Sequence, residues 1–151
     1  MESAETVFAI ANVWILPGWL LLLFAPSWKY TGRIVFYLII GVLAIAYTWL
    51  LLSDISSFDP EAGSTLANIS KAFGDSRVAL IGWIHYLAFD MFAGLVIALD
   101  ARRVGVNRIL MALPLFLTLM AGPFGLLVYV VIRLFYTRSL GIPLQGSSGK
   151  S

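Results

Sequence analysis

Three uncharged stretches, and a fourth holding a single carboxylate, leave this chain few ways to fold. Residues 6–28, 34–53 and 109–132 carry no formal charge, and residues 78–99 carry only Asp90. Each stretch reaches the ~20 residues needed to cross ~30 Å of hydrocarbon as a helix. In lipid, every backbone N–H and C=O must be bonded within its own segment, so such runs become helices. A soluble domain would carry about 25% charged residues. This chain carries 12%, is 60% hydrophobic and has a mean hydropathy of +0.92. The expectation is an all-α integral membrane bundle of four transmembrane helices, forming one domain over residues 1–140. Residues 141–151 are expected to be a flexible C-terminal tail.

The first apolar run does not read as a cleavable signal peptide. Glu2 and Glu5 stand where a basic flank would be, and the run is too long. With no cysteine, disulfides and thiolate chemistry are excluded. The formal charge of +2 comes from bases flanking helices, and nothing resembles a nucleic-acid-binding surface. Short loops dominate the positive-inside rule. Lys29, Arg33, Arg102, Arg103 and Arg108 lie in the loops after the first and third spans, so both termini are expected outside the cytoplasm.

Along the chain, the first span holds Asn12, Pro17 and Gly18. Pro17 frees the carbonyl of Val13 and is expected to kink the helix. Trp28, Lys29 and Tyr30 form an interfacial belt. In the long connection after the second span, Asp59-Pro60-Glu61 reads as a helix start, with Asp59 as N-cap and Pro60 at the first helical position. Ala62, Leu66, Ile69 and Phe73 then recur on one face, and Gly74 can stop the turn. The spacing predicts a short amphipathic helix, lying on the membrane or over the mouth of the bundle. Asp75 and Ser76 can cap the third span. The fourth carries Pro114 and then a break, Gly122-Pro123-Phe124-Gly125, at which Pro123 frees the carbonyl of Leu119. Broken membrane helices persist only where the freed groups find protein, water or ligand. Arg133, Tyr136 and Arg138 close the span as a belt.

The residues that can carry chemistry gather around Gly82-Trp83-Ile84-His85-Tyr86-Leu87-Ala88-Phe89-Asp90, which holds the single histidine of the chain. A carboxylate within hydrocarbon is costly, about 2.5–3.5 kcal/mol on insertion scales, and so has a partner or a task. At ~1.5 Å of rise per residue, alternating helix directions put Asn12, Thr48, His85 and Tyr129 within roughly 10 Å of one membrane surface. Tyr47, Tyr86 and Arg133 fall at similar depths, with Asp90 nearer the middle, level with the Gly122 break. The pattern suggests a cavity opening towards the long connection. His85 and Asp90, about 140° apart round a helix, can flank a ligand but do not stack on one face. Asp90 lies on a stripe with Gly82, Tyr86, Ala93, Gly94 and Ile97, and small residues on such a stripe mean tight helix packing. The bland reading of Asp90 is therefore a carboxylate bonded to Asn12, a tyrosine, Arg133 or freed backbone. His85 by itself reads more readily as a hydrogen-bonded core or interface histidine than as a ligand. One histidine with one carboxylate falls short of a zinc set. Haem ligation has no second histidine behind it, and no nucleophile elbow supports a hydrolytic triad.

The block from Gly82 to Asp90, with Gly94 and Asp100, and then Thr118 with Gly122-Pro123-Phe124-Gly125-Leu126-Leu127, resembles the ABA-deficient-four-like family of small four-helix membrane proteins. The resemblance runs from the Trp14, Pro17 and Trp19 region to Arg133. Plant members are linked to making neoxanthin from violaxanthin in plastids. This chain has no plastid-type extension, which points to a bacterial relative in the inner membrane. The resemblance implies isomerisation of an epoxide to an allene, which needs no redox cofactor or metal. It needs an acid at the epoxide oxygen and a base for a ring-adjacent proton, tasks that His85 and Asp90 can share. Trp14, Trp19, Phe89 and Phe92 would suit a polyene, and Asn12, Thr48, Trp83, Tyr86, Tyr129 and Arg133 would help line its site. Pro17, Gly122, Pro123 and Gly125 would shape the backbone. The expected partners are a carotenoid or other isoprenoid lipid and the surrounding membrane lipids. The alternative is a non-catalytic pigment- or lipid-binding subunit of a membrane complex.

Overall fold

A computed structural model of the chain describes residues 2–53, 61 and 63–138, and every described element is helical. Helix α1 covers Glu2–Phe24 and α2 covers Thr31–Leu52. The short α3 covers Leu66–Phe73, α4 covers Ser76–Val104 and α5 covers Arg108–Thr137. All but α3 are long and apolar enough, by length and composition, to cross a membrane, so the expected all-α class with four such helices holds. The tail at 141–151 lies outside the described residues.

Helix α4 is the central element, packing against α1, α2, α3 and α5. Its ends are set locally. The Asp75 carboxylate accepts from the backbone N–H groups of Arg77 (2.8 Å) and Val78 (3.2 Å), capping the first turn as expected. Gly105, at φ 77°, ends the helix in the left-handed region that glycine occupies without steric cost. Leu80, Ile84, Ala88, Met91 and Leu95 run at three- and four-residue spacings down its buried side. Helix α1 lies parallel to α4 and continues unbroken through Pro17. The buried Trp19 ring fills the space left by Gly94, where a Cβ would meet Cζ3 at 2.7 Å. Trp19 is thus a packing residue.

Helix α2 contains a π-helical stretch, Ile34–Ile40. Four residues under-rotate in a wide π turn and over-rotate in an α turn. Together the two hold Val35, Ile39 and Leu43, four residues apart, on the buried face. Helix α3 is amphipathic as expected, but Thr65 caps it, its side chain accepting from Asn68 N at 3.1 Å. Glu61 lies in a turn before the helix, and the expected start at Asp59 and Pro60, with Ala62, lies outside the described residues. The Phe73 ring rests over Gly82 of α4, which docks α3 at that end of the bundle.

Helix α5 doubles back on itself. Ala121 has non-helical dihedrals (φ −155°, ψ 61°), separating residues 108–120 from residues 122–137. Gly125 then lies against the Thr118 backbone nitrogen and the Pro114 carbonyl, an approach that a side chain would block. In a straight helix, seven residues would separate Gly125 from Thr118 by about 10 Å. The sequence placed the break at Gly122-Pro123-Phe124-Gly125; the non-helical residue, Ala121, immediately precedes it. Pro123 sits in the first turn of the second half, where its missing N–H costs nothing.

Candidate functional site

Doubling back decides which polar groups meet. Tyr129 and Arg133 are carried to Asp100, near the far end of α4 from His85. The Tyr129 hydroxyl donates to Asp100 Oδ2 at 2.6 Å, and Arg133 Nε donates to the same oxygen at 2.5 Å. Asp100 is 2% exposed and Tyr129 is fully buried, while Arg133 is part-buried. The depths reckoned for Tyr129 and Arg133 assumed a straight fourth helix. The fold moves them: neither residue shares a level with Asn12, Thr48 and His85, and Arg133 is a part-buried ion-pair partner of Asp100 rather than part of the closing belt. Asp100 entered the sequence reading only among the residues of the family resemblance, not as a candidate site residue. One more turn along the stripe of Ala93, Gly94 and Ile97 would have reached it.

The remaining residues near the long connection fall into separate pairs. Trp83 Nε1 donates to Asn12 Oδ1 at 3.2 Å, and the Trp83 ring lies 5.6 Å from Phe8. Phe8 and Trp83 border a cleft of about 420 Å³ between the first turns of α1 and α4, lined also by Ala4, Ser76 and Ala79 among others, while Asn12 lies outside its lining. The cleft opens on the expected side but is built by two helices, not four. Thr48 donates to Ala44 O and borders a shallower cleft, about 350 Å³, along α2. The expected convergence of one polar group per helix is not formed among the described residues.

His85 and Asp90 lie on either side of an exposed aromatic strip of α4. On a helical projection Phe89 and Tyr86 fall between them. Phe89 is 61% exposed and Tyr86 57%. On one border, the exposed His85 ring stacks on Phe89 (4.5 Å between centroids) and faces Tyr47 of α2 at 5.7 Å. On the other border, the Asp90 carboxylate lies against Gly122, where any Cβ would overlap it. Gly122 begins the second half of α5, and a helix start favours a neighbouring negative charge. Of the partners expected for Asp90, Asn12 is bonded to Trp83, while Tyr129 and Arg133 serve Asp100. What Asp90 meets is the backbone break. Phe92 is also exposed on α4, and Phe124 is exposed near the turn of α5.

Trp14 adds a further polar group. Its indole Nε1 is buried with no hydrogen-bond partner among the described residues. A buried N–H left unpaired costs about 1–3 kcal/mol. Trp19 packs on Gly94, and from there the helix rise places Trp14 roughly level with Asp90. No group of three or more histidine, cysteine or carboxylate side chains that could hold a metal occurs among the described residues. The family model described as ABA DEFICIENT 4-like matches residues 6–129. No curated protein and no solved structure matches the chain.

Proposed function

The chain belongs to the ABA DEFICIENT 4-like family, and from that premise we propose that it acts in carotenoid or related isoprenoid metabolism, isomerising a xanthophyll-like substrate by proton transfer. The observation that carries this reading is the strip of Tyr86 and Phe89, bordered by His85 and Asp90. A polyene is long, flat and apolar, and it reaches such a strip from the lipid without entering an enclosed cavity. Lying along Phe89, it has an imidazole on one side and a carboxylate on the other. One group in its acid form gives a proton to the epoxide oxygen as the C–O bond breaks. The other takes the ring-adjacent proton as the allene forms, so the substrate neither gains nor loses atoms.

The second reading is a non-catalytic pigment- or lipid-binding subunit. It is favoured by the same separation: His85 is stacked on Phe89 and Asp90 abuts Gly122, so each has a packing role without a reaction. Purified protein in lipid nanodiscs, supplied with an epoxy-carotenoid, separates the two. Isomerisation by the native chain, falling about 100-fold or more in Asp90→Asn and in His85→Ala while pigment is retained, supports the first. Stoichiometric pigment without turnover supports the second. A chain that neither binds nor converts the pigment overturns both.

A further inference from the structure

The doubled-back α5 also sorts the charges of the molecule. Its first half leaves the turn at residues 105–107, and its second half returns towards it. Residues 25–33, 100–108 and 133–138 therefore lie at one end. That end is tied together by Arg102 Nη1 donating to Pro26 O (2.7 Å) and Arg108 Nη2 donating to Ser27 Oγ (2.6 Å). Lys29, Arg33, Arg102, Arg103, Arg108 and Arg138 are all exposed there. Among the described residues the one acid at this end is Asp100, which is buried by Arg133 and Tyr129. Glu5, Glu61 and Asp75 are at the other end, with Lys71 and Arg77. Trp28, Tyr30 and Tyr136 are exposed among the bases, the composition of a headgroup-level belt.

We infer that this basic end is an interaction surface for anionic phospholipid headgroups, seated in the cytoplasmic leaflet with both ends of α5 on that side. The bases adjoin the apolar helices by a turn or less, so the surface they face is the leaflet in which the chain is embedded. Each base near an anionic surface contributes about 1 kcal/mol. A straight fourth helix would have put Arg133 and Arg138 on the side of Glu5 and Asp75, dividing the positive charge between the two faces. Folding back removes that division. The positive-inside rule then sets the N-terminal end outside and residues 133–138 inside, in place of both termini outside.

The absence of cysteine makes the test direct. Glu5→Cys, Tyr30→Cys and Thr137→Cys are each expressed in full-length protein and treated with a membrane-impermeant maleimide, in intact bacterial cells and in inverted vesicles. The expected result is labelling of position 5 in cells, and of positions 30 and 137 only in inverted vesicles. Labelling of 137 with 5 means that α5 crosses the membrane, and overturns the inference. A second measurement reads the lipid itself: phosphatidylglycerol and phosphatidylethanolamine co-purifying with the native chain and with a Lys29→Gln, Arg33→Gln, Arg138→Gln variant. The native chain should enrich phosphatidylglycerol, and the variant should lower that ratio roughly fivefold or more. No enrichment, or an unchanged ratio in a variant of normal helical content, overturns the headgroup surface.

Discussion

A methyl group at Gly125 would meet the Thr118 backbone nitrogen and the Pro114 carbonyl, neither of which can swing aside. At Gly18 it would meet Met91 Cε at 2.8 Å, the far end of a flexible side chain. Overpacking costs about 1–3 kcal/mol, more where the neighbour is rigid. Gly125→Ala should therefore lower the thermal midpoint of the detergent-solubilised protein well below that of Gly18→Ala. Equal midpoints would mean that the halves of α5 do not touch. The Asp100 cluster makes a second prediction at this scale. Arg133→Leu leaves a buried carboxylate without its cation and should cost about 3–5 kcal/mol. Tyr129→Phe removes one hydrogen bond to a charge, about 1.5–3 kcal/mol. Thermal or denaturant unfolding gives the order, and a harmless Arg133→Leu would contradict a buried ion pair. Sequence alone singled out Asp90 correctly as a carboxylate at mid-span, because charge within hydrocarbon is conspicuous. It undervalued Asp100, which stands where apolar and basic segments meet and looks solvated in one dimension.

Among the elements, α3 shows how a local pattern and a tertiary contact divide the work. Its apolar stripe of Leu66, Ile69 and Phe73 was readable from spacing, and the bundle leaves that stripe largely uncovered, with Leu66 79% exposed. That suits a helix lying at the interface. Its attachment rests on Phe73 over Gly82. Phe73→Ala should therefore raise amide exchange in Leu66–Phe73 at least tenfold while barely moving the unfolding midpoint of the bundle, since the contact lies outside the main core. Unchanged exchange would locate the anchor elsewhere. Helix α4 was legible in its N-cap, Asp75, because that is local chemistry, whereas Gly105 as its C-terminal stop was not singled out. What it packs on was not legible either. The glycines of its stripe announce close approach without saying that Trp19 and Phe73 are what approaches.

For the whole molecule, the membrane class, the number of long apolar helices and the amphipathic connector were determined by the sequence. Burial of uncharged backbone in lipid admits little else, and hydropathy records it residue by residue. The course of α5 was decided only in three dimensions. Met111, Leu115, Thr118, Gly122, Gly125 and Tyr129 recur at three- and four-residue intervals, the signature of a straight helix facing one neighbour. The same spacing serves two half-helices that both face α4, because the reversal is made by the dihedrals of a single alanine, Ala121. Hydrophobic periodicity reports which residues are buried, not the direction in which the chain runs. So the pairing of Asp100 with Arg133, the Gly122 backbone beside Asp90 and the gathering of bases at one end all had to come from tertiary contacts.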